Sequence, residues 1–498
     1  MTMRRIAALH AIAVALAVGG CTVGPDFLRP SPPQDTGYTP QPLAVRTASV
    51  RARGGEAQQL LPDRDIPGDW WTLFRSASLN RLIEQSLRSN PDLDAAQAAL
   101  RQAQENVYAG EGALYPSASL GIQAEKQRFS GASFGQPSQH AVFGLVTPSL
   151  NVSYAPDVFG GTRRQIESLE AQAEFQRFQL EAAYLTLTSN VVVAAVQEAS
   201  LRGQIAATEA IIKDQAQSLN LVRQRFNLGG ASQADVLTQE AQLAQTRATL
   251  PPLQKQLAQT RNQLTALAGA LPAHETAERF SLDSMRLPQD LPVSLPSQLI
   301  EQRPDIRAAE AQMHSASAEI GVATANQLPQ FSITAMLGTA STGFTNMFAP
   351  GTGVWSIAGG ITQTLFDAGT LLHKKRAAVA AFEQTAAQYR STVIKACQNV
   401  ADALRALELD AENLQAQAEA ERSAKSSLDL VRTQYNGGST SYLQVLDATR
   451  QYQQTRIGLI EARAARLSDT AALYAALGGG WTYEAPAVAE TTPLTESR

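Results

Sequence analysis

Few side chains in this 498-residue sequence have the types and spacing that support chemistry. No pair of the five histidines has the spacing of metal ligands: His10, His140, His274, His314 and His373. The sequence also contains neither a phosphate-binding loop nor a dinucleotide-binding fingerprint. We therefore expect no enzyme activity, no metal and no cofactor. The formal net charge of -4 gives no broad basic surface, so nucleic acid is not an expected partner.

Cys21 has the most specific chemical context. Arg4 and Arg5 precede an apolar run over 6–18, which leads into Gly19-Gly20-Cys21. This order is typical of a secretory signal, and the apolar run is too short for a membrane-spanning helix. Small residues directly before a cysteine are similar to a lipobox, which implies cleavage after residue 20 and acylation of Cys21. The alternative is an ordinary signal peptide with a chance cysteine.

The remaining cysteine, Cys397, has no thiol partner if Cys21 is acylated, so we expect no intramolecular disulfide. Proline and glycine crowd the stretch 25–67, which predicts an extended tether over 21–69 rather than a folded domain.

An internal repeat organises the rest of the chain. Pro91 and Pro304, each followed by Asp, are 213 residues apart, and Pro116 and Pro329 repeat that spacing. Further along, Val222-Arg223 and Val431-Arg432 are 209 residues apart. The recurrence predicts two copies of one order of elements: a helix, two strands, a very long helix, a tight turn and a returning helix.

Four segments alternate apolar and small uncharged polar residues with the period of two that is typical of strands. They predict hairpins over 117–155 and 330–366. Each segment runs about ten residues, the length of a tilted transmembrane strand, and its two faces suit an outer-membrane barrel. A soluble two-faced sheet is the alternative for any one strand.

Four strands cannot close a barrel, and an open edge in lipid costs several kcal/mol for each unpaired backbone group. Several copies must therefore share one barrel. Two chains would give eight strands with a filled lumen, whereas three would give twelve strands around a water-filled bore. The sequence permits both, and a duct favours three.

A second long-range feature is a heptad-like apolar seam over 163–226, a stretch without proline and with Gly203 as its one glycine. At about 1.5 Å per residue it predicts a helix roughly 95 Å long. Cys397 lies on the equivalent seam of the second copy, which predicts a buried small apolar residue. A plain periplasmic coiled coil would fit the seam but would leave the strands unexplained.

Three short segments of the sequence resemble a known family. Trp70-Trp71-Thr72-Leu73-Phe74, Asn90-Pro91-Asp92-Leu93 and Arg303-Pro304-Asp305-Ile306 are similar to segments of TolC-like outer-membrane efflux factors, in the OprM/NodT-type lipoprotein branch of tripartite RND pumps. The resemblance covers nearly all of the mature chain, in order. It implies a mixed α and β membrane protein: a homotrimer with a shared twelve-stranded β-barrel, four strands per chain, continued by a long periplasmic α-helical barrel and an equatorial domain.

The expected organisation follows from the repeat and the resemblance together. Its divisions are a signal peptide 1–20, a lipid-anchored tether 21–69, a first repeat 70–270, an equatorial linker 271–297, a second repeat 298–478 and a C-terminal equatorial tail 479–498. Within the repeats we predict long helices over 162–226 and 369–436, tip turns over 227–232 and 436–441, and returning helices over 233–270 and 442–478.

Both tip turns are rich in glycine, which permits the left-handed backbone that ends a helix. Ser232 with Asp235, and Ser441 with Gln444, have the spacing of capping boxes. The family docks its adaptor at such tips, so the resemblance implies adaptor contacts at Leu228, Gly229, Gly230, Gly437, Gly438 and Ser439.

The segment 442–447 resembles the family's aperture, where a leucine and an aspartate narrow the bore as rings. The resemblance implies a periplasmic gate formed by Leu443 and Asp447, assisted by Tyr435. TolC proper has a second aspartate where this chain has Gln444, so one acidic ring is expected. The plainer interpretation is that Asp447 only favours a helix N-terminus.

The resemblance implies the outer-membrane exit channel of a tripartite efflux pump, passively conducting drugs or other small toxic compounds. The implied partners are two further copies of the chain, a periplasmic adaptor (membrane-fusion) protein, an inner-membrane RND transporter and outer-membrane lipid. Two alternatives stay open: a type I protein-secretion duct, which shares the fold, and a scaffolding lipoprotein without a channel. The lipobox and the tether favour drug efflux.

Overall fold

The computed structural model describes residues 22–35, 37–41, 44–62, 64, 66–130, 132, 135 and 140–480. The predicted signal peptide 1–20 and most of the C-terminal tail lie outside these residues. The chain divides into two compact units. The first consists of Met1–Pro30, Ala99–Gln176 and Ala309–Arg390, and the second of Ser31–Ala98, Arg177–Ala308 and Ser391–Arg498.

The described residues form strands and helices in an order that repeats. The strands are β1 (Gln59–Pro62), β2 (Ser117–Ser130), β3 (His140–Tyr154), β4 (Asp290–Val293), β5 (Gln330–Thr339) and β6 (Gly353–Thr362). The α-helices are α1 (Ala77–Ser89), α2 (Pro91–Glu111), α3 (Gly161–Asn227), α4 (Gln233–Leu267), α5 (Pro296–Gln302), α6 (Pro304–Ala325), α7 (Thr370–Asn436) and α8 (Tyr442–Ala476). Helices α3 and α7 each have 67 residues, and α4 and α8 each have 35. At about 1.5 Å per residue, the two longest helices extend roughly 100 Å each.

The first unit contains a four-stranded antiparallel sheet in the order β2-β3-β5-β6. The strands β2 and β3 have 14 and 15 residues, longer than the ten or so that the alternating pattern predicts, while β5 and β6 have ten each. Both edge strands expose large apolar side chains, with Leu120 of β2 80% exposed and Trp355 of β6 74% exposed. A soluble sheet would bury such residues, so this face requires an apolar environment outside the chain.

In the second unit, the core follows the apolar seams of the long helices. Val191, Leu201 and Val222 of α3 are buried, as are Val400 and Leu414 of α7. The prediction that Cys397 is a buried seam residue was too strong, because its side chain is only half-buried. The neighbouring Ala396 takes the fully buried position instead.

The prediction of an extended tether over 21–69 was wrong for part of its length. Strand β1 pairs in parallel with β4, and Gln58 is fully buried. Arg466 of α8, only 1% exposed, donates hydrogen bonds to the carbonyl oxygens of Gly54 and Glu56 and to the side chain of Gln58. These donors satisfy carbonyls that a proline- and glycine-rich segment cannot pair within its own secondary structure.

A buried ion network holds the segment 275–280 in the second unit. The Glu198 carboxylate of α3 is fully buried and accepts from Arg261 Nη1 at 2.7 Å, Arg202 Nε at 2.8 Å and the backbone N of Phe280 at 3.1 Å. Arg261 also donates to the carbonyl oxygen of Thr276 at 2.8 Å. The network therefore joins α3, α4 and the segment that precedes β4.

Candidate functional site

The two tip turns join each long helix to its returning helix in the second unit. In the first turn Gly229 has φ +76° and the backbone N of Gly230 donates to the carbonyl oxygen of Arg225 at 2.8 Å. In the second turn Gly438 has φ +76° and the backbone N of Ser439 donates to Gln434 at 2.9 Å. Both turns therefore end their helices through a left-handed glycine. A Cβ at Gly229 or Gly438 would meet no atom within 4 Å, so the backbone conformation, not space, requires glycine there.

The capping boxes differ between the two returning helices. Ser232 Oγ accepts from the backbone N of Asp235 at 3.1 Å, and Asp235 Oδ2 accepts from the backbone N of Ser232 at 2.9 Å, which completes a capping box on α4. The corresponding prediction for Ser441 and Gln444 was wrong, since Ser441 makes no side-chain cap bond. The Gln444 side chain instead accepts a hydrogen bond from the Thr440 hydroxyl.

The predicted gate residues fall into two environments. Leu443 is 59% exposed, and Asp447, one helical turn later on the same face of α8, is also exposed. Tyr435 is half-buried instead, with its ring 5.2 Å from that of Tyr442 and 4.6 Å from the guanidinium of Arg225. The structure thus places Leu443 and Asp447 together at the surface of the chain and Tyr435 in the packing behind them.

Sequence reasoning missed a counter-charge at this face. Arg450 Nη2 lies 2.5 Å from Asp447 Oδ1, and both side chains are more than half exposed. The spacing of three residues on a helix signals such a pair. A ring of Asp447 carboxylates would therefore carry a ring of Arg450 guanidinium groups beside it, so its field on passing cations is weaker than the carboxylates alone would give.

Sequence reasoning also missed the polar contacts behind the predicted gate residues. The Tyr442 hydroxyl donates to Gln239 Oε1 at 2.5 Å. Val222, Val445 and Leu446 pack with Tyr442 in one buried apolar cluster. Burial raises the pKa of Tyr442 above its usual range, so its phenol remains a hydrogen-bond donor at physiological pH.

Cys21, the predicted lipidation site, lies outside the described residues, but the chain directly after it is docked in the first unit. The buried Arg164 donates to the Val23 carbonyl oxygen at 3.2 Å and to Asp26 Oδ1 at 2.6 Å. Phe27 stacks on His314 with ring centroids 4.5 Å apart. A Cβ added to Gly24 would lie 2.4 Å from the Gly321 Cα, so the approach there needs glycine. These contacts fix the chain position next to residue 21.

Within the part of the chain that the structure describes, no group of three His, Cys, Asp or Glu side chains is placed to hold a metal ion. Nor, over those same residues, is any helix both long enough and apolar enough to cross a membrane.

The fold and the sequence place the chain in one family. The family model described as outer membrane efflux protein matches residues 82–270 and 295–479, so the chain belongs to the outer membrane efflux protein family. The protein is located in the outer membrane. Its family consists of outer-membrane efflux channels rather than enzymes.

Individual relatives match over nearly their whole length. The chain is 30% identical to the toluene efflux pump outer membrane protein TtgF of Pseudomonas putida, over 94% of this chain and 96% of TtgF. It is 29% identical to the cation efflux system protein CusC of Escherichia coli, over 94% of this chain and 97% of CusC. The structure superposes on the outer-membrane channel OprN with a TM-score of 0.83 at 27% identity, covering 93% of this chain and 100% of OprN.

Proposed function

We propose that this protein is the outer-membrane exit channel of a tripartite efflux pump, built as a homotrimer that conducts drugs or other small toxic compounds passively. Three copies of the four-stranded sheet would form a twelve-stranded barrel, and the paired long helices of three chains would form the α-helical barrel that continues it. An equatorial domain would surround that helical barrel.

The observation that carries this proposal is the sheet with two open edges. Among the described residues, β2 pairs only with β3 and β6 only with β5. Their outer edges leave backbone donors and acceptors that lipid cannot satisfy. The exposed apolar residues Leu120, Trp355 and Ile357 on these edge strands suit contact with acyl chains.

A deletion strain tests the role in efflux. We expect loss of the gene to raise accumulation of a fluorescent efflux substrate, and re-expression of the chain to restore export only with a periplasmic adaptor and an inner-membrane transporter of the RND class. The type I secretion alternative predicts the opposite: unchanged drug export and retention of a secreted polypeptide in the cell.

For the gate, the proposal is that Leu443 and Asp447 constrict the bore in the trimer, with Tyr435 supporting them from behind. Their shared exposed face supports this, because a pore-lining residue is exposed in a single chain. We expect Leu443→Ala with Asp447→Ala to make cells sensitive to vancomycin, which is too large for a closed duct. Leu430→Ala, at another exposed leucine, is the matched control.

For the tips, the proposal is that both turns contact the adaptor. Leu228 is 87% exposed and supports this, because an isolated chain gains nothing from such a side chain. Gly229→Asn with Gly438→Asn adds side chains that tolerate the left-handed backbone, so we expect trimers to assemble while efflux falls. Gly343→Asn, in the β5–β6 connection, is the control. Normal drug resistance in the tip variant would exclude a docking role.

For the N-terminus, the proposal is that Cys21 is the first residue of the mature chain and carries lipid. The docked residues that follow it support a fixed attachment point. Mass spectrometry of the mature protein should find an acylated residue 21, whereas a retained signal peptide or an unmodified cysteine would refute this.

A further inference from the structure

Near the tips, a chain of buried hydrogen bonds crosses three helices. The Tyr442 hydroxyl of α8 donates to Gln239 Oε1 of α4 at 2.5 Å, and Gln239 Nε2 donates to the carbonyl oxygen of Gln215 in α3 at 3.0 Å. These residues are 8%, 1% and 3% exposed. A buried polar link of this kind fixes the position of one helix against another more specifically than apolar packing does.

The link lies directly behind the gate residues. Tyr442 is the first residue of α8, and the exposed Leu443 follows it. The Tyr442 ring packs in the cluster with Val445 and Leu446 of the same helix. The ring and the first turn of α8 therefore move together. An outward displacement of Leu443 and Asp447 that carries α8 away from α4 would therefore break the bond between Tyr442 and Gln239.

Apolar packing of Val222 against Tyr442, Val445 and Leu446 also holds α3 and α8 together in this layer, but it has no preferred direction. The side-chain amide nitrogen and oxygen of Gln215 are both buried and have no hydrogen-bond partner among the described residues. An unpaired buried amide destabilises the helix packing at its own level. The bond from the Tyr442 hydroxyl to Gln239 is thus a directional restraint that links α8 to α4 in this layer.

We propose that Tyr442 is a positioning residue of the gate, whose hydroxyl holds the start of α8 in the closed position through Gln239. This inference rests on the proposed gate at Leu443 and Asp447. It adds a residue that does not line the bore and acts only through the helix that carries the lining residues.

The test removes the hydroxyl and keeps the ring. Tyr442→Phe leaves the apolar cluster filled, so trimers should form normally. A net intramolecular hydrogen bond of ordinary strength corresponds to a change of about two- to tenfold in an equilibrium. We expect the ratio of open to closed time in single-channel records to rise about two- to tenfold.

The matched control is Tyr474→Phe, on the same helix. The Tyr474 ring is fully buried, and its hydroxyl has no hydrogen-bond partner within the described chain. This variant should leave the open-to-closed ratio unchanged. An equal rise in both variants would overturn the proposal, because it would reflect loosened packing along α8.

A double variant separates positioning from stability. Gln239→Leu combined with Tyr442→Phe removes the polar pair and its unsatisfied oxygen together, although it also removes the bond from Gln239 to the Gln215 carbonyl oxygen. The Tm should therefore recover part of the way towards that of the parent. The proposal predicts that the open-to-closed ratio stays high despite this recovery. A ratio that returns to the parent value along with the Tm would overturn it.

The outcome also distinguishes this proposal from the gate itself. A raised conductance in the Leu443→Ala and Asp447→Ala variant with no change in Tyr442→Phe would refute the role of Tyr442 and leave the gate intact. No change in either variant would refute the gate and this inference together.

Discussion

A half-buried carboxyl pair on the helices α7 and α8 makes the stability of this protein depend on pH. Asp410 of α7 is half-buried and shares a hydrogen bond with Asp469 of α8. Burial, together with that hydrogen bond and the charge of Asp469, raises the pKa of Asp410 from 3.8 to about 7, against an opposing effect of Arg466. We predict that Asp410→Asn stabilises the folded protein at pH 8 and leaves it nearly unchanged at pH 4.

The sign follows from proton binding. Between pH 4 and pH 7 the unfolded chain has lost the Asp410 proton while the folded chain retains it, so stability falls as the pH rises through that window. Raising the pKa of Asp410 from 3.8 to about 7 corresponds to about 4 kcal/mol. Because Asp410 is only half-buried, solvent screens part of this, and we expect about 2 kcal/mol.

Urea unfolding in detergent at pH 4, 6 and 8 measures the effect. The control is Asp402→Asn, at an exposed position about two helical turns before Asp410 on α7. It should change the free energy of unfolding by less than about 0.5 kcal/mol at every pH. Equal stabilisation by Asp410→Asn at all three pH values would refute the assignment, because the gain would not then come from a titrating carboxyl.

Three further predictions follow from buried or docked groups. Glu198→Ala removes the buried carboxylate that pairs with Arg261 and leaves it only the half-exposed Glu275, so it should cost about 3 kcal/mol in unfolding free energy. Glu240→Ala, in an exposed pair, should cost under about 1 kcal/mol, and equal costs would contradict the role of burial. Arg164→Ala should make residues 22–30 sensitive to protease without unfolding the rest of the protein, and unchanged resistance would show that the other contacts suffice. Burial raises the pKa of Cys397, so a smaller fraction of it is thiolate at pH 7 than for an exposed cysteine. Maleimide should therefore modify it several-fold more slowly, and an equal rate would contradict its half-buried position.

The sequence predicts those parts of the fold that depend on local periodicity. The alternation after Pro116 and after Pro329 places the four strands, because side chains on a strand change face at every residue. Glycine at Gly229 and Gly438 marks both tip turns, since the left-handed backbone there disfavours other residues.

Long-range polar contacts could not be predicted in the same way. Tyr442 meets Gln239 across 203 positions in sequence, and Arg466 meets Gly54 across 412. Neither pair has a local pattern, so the predicted tether appeared to lack partners. The missing cap at Ser441 has a local cause instead, because the hydroxyl of the neighbouring Thr440 competes for the Gln444 side chain.

The conductance of the purified protein in planar bilayers tests the central claim most directly. The proposed gate predicts that the wild-type protein forms channels of low conductance, because Leu443 and Asp447 would constrict the bore. The Leu443→Ala and Asp447→Ala variant should form channels of the same number but of several-fold higher conductance. Bilayers that stay silent with both proteins, although both assemble in the outer membrane, would contradict the assignment of this chain as an exit channel.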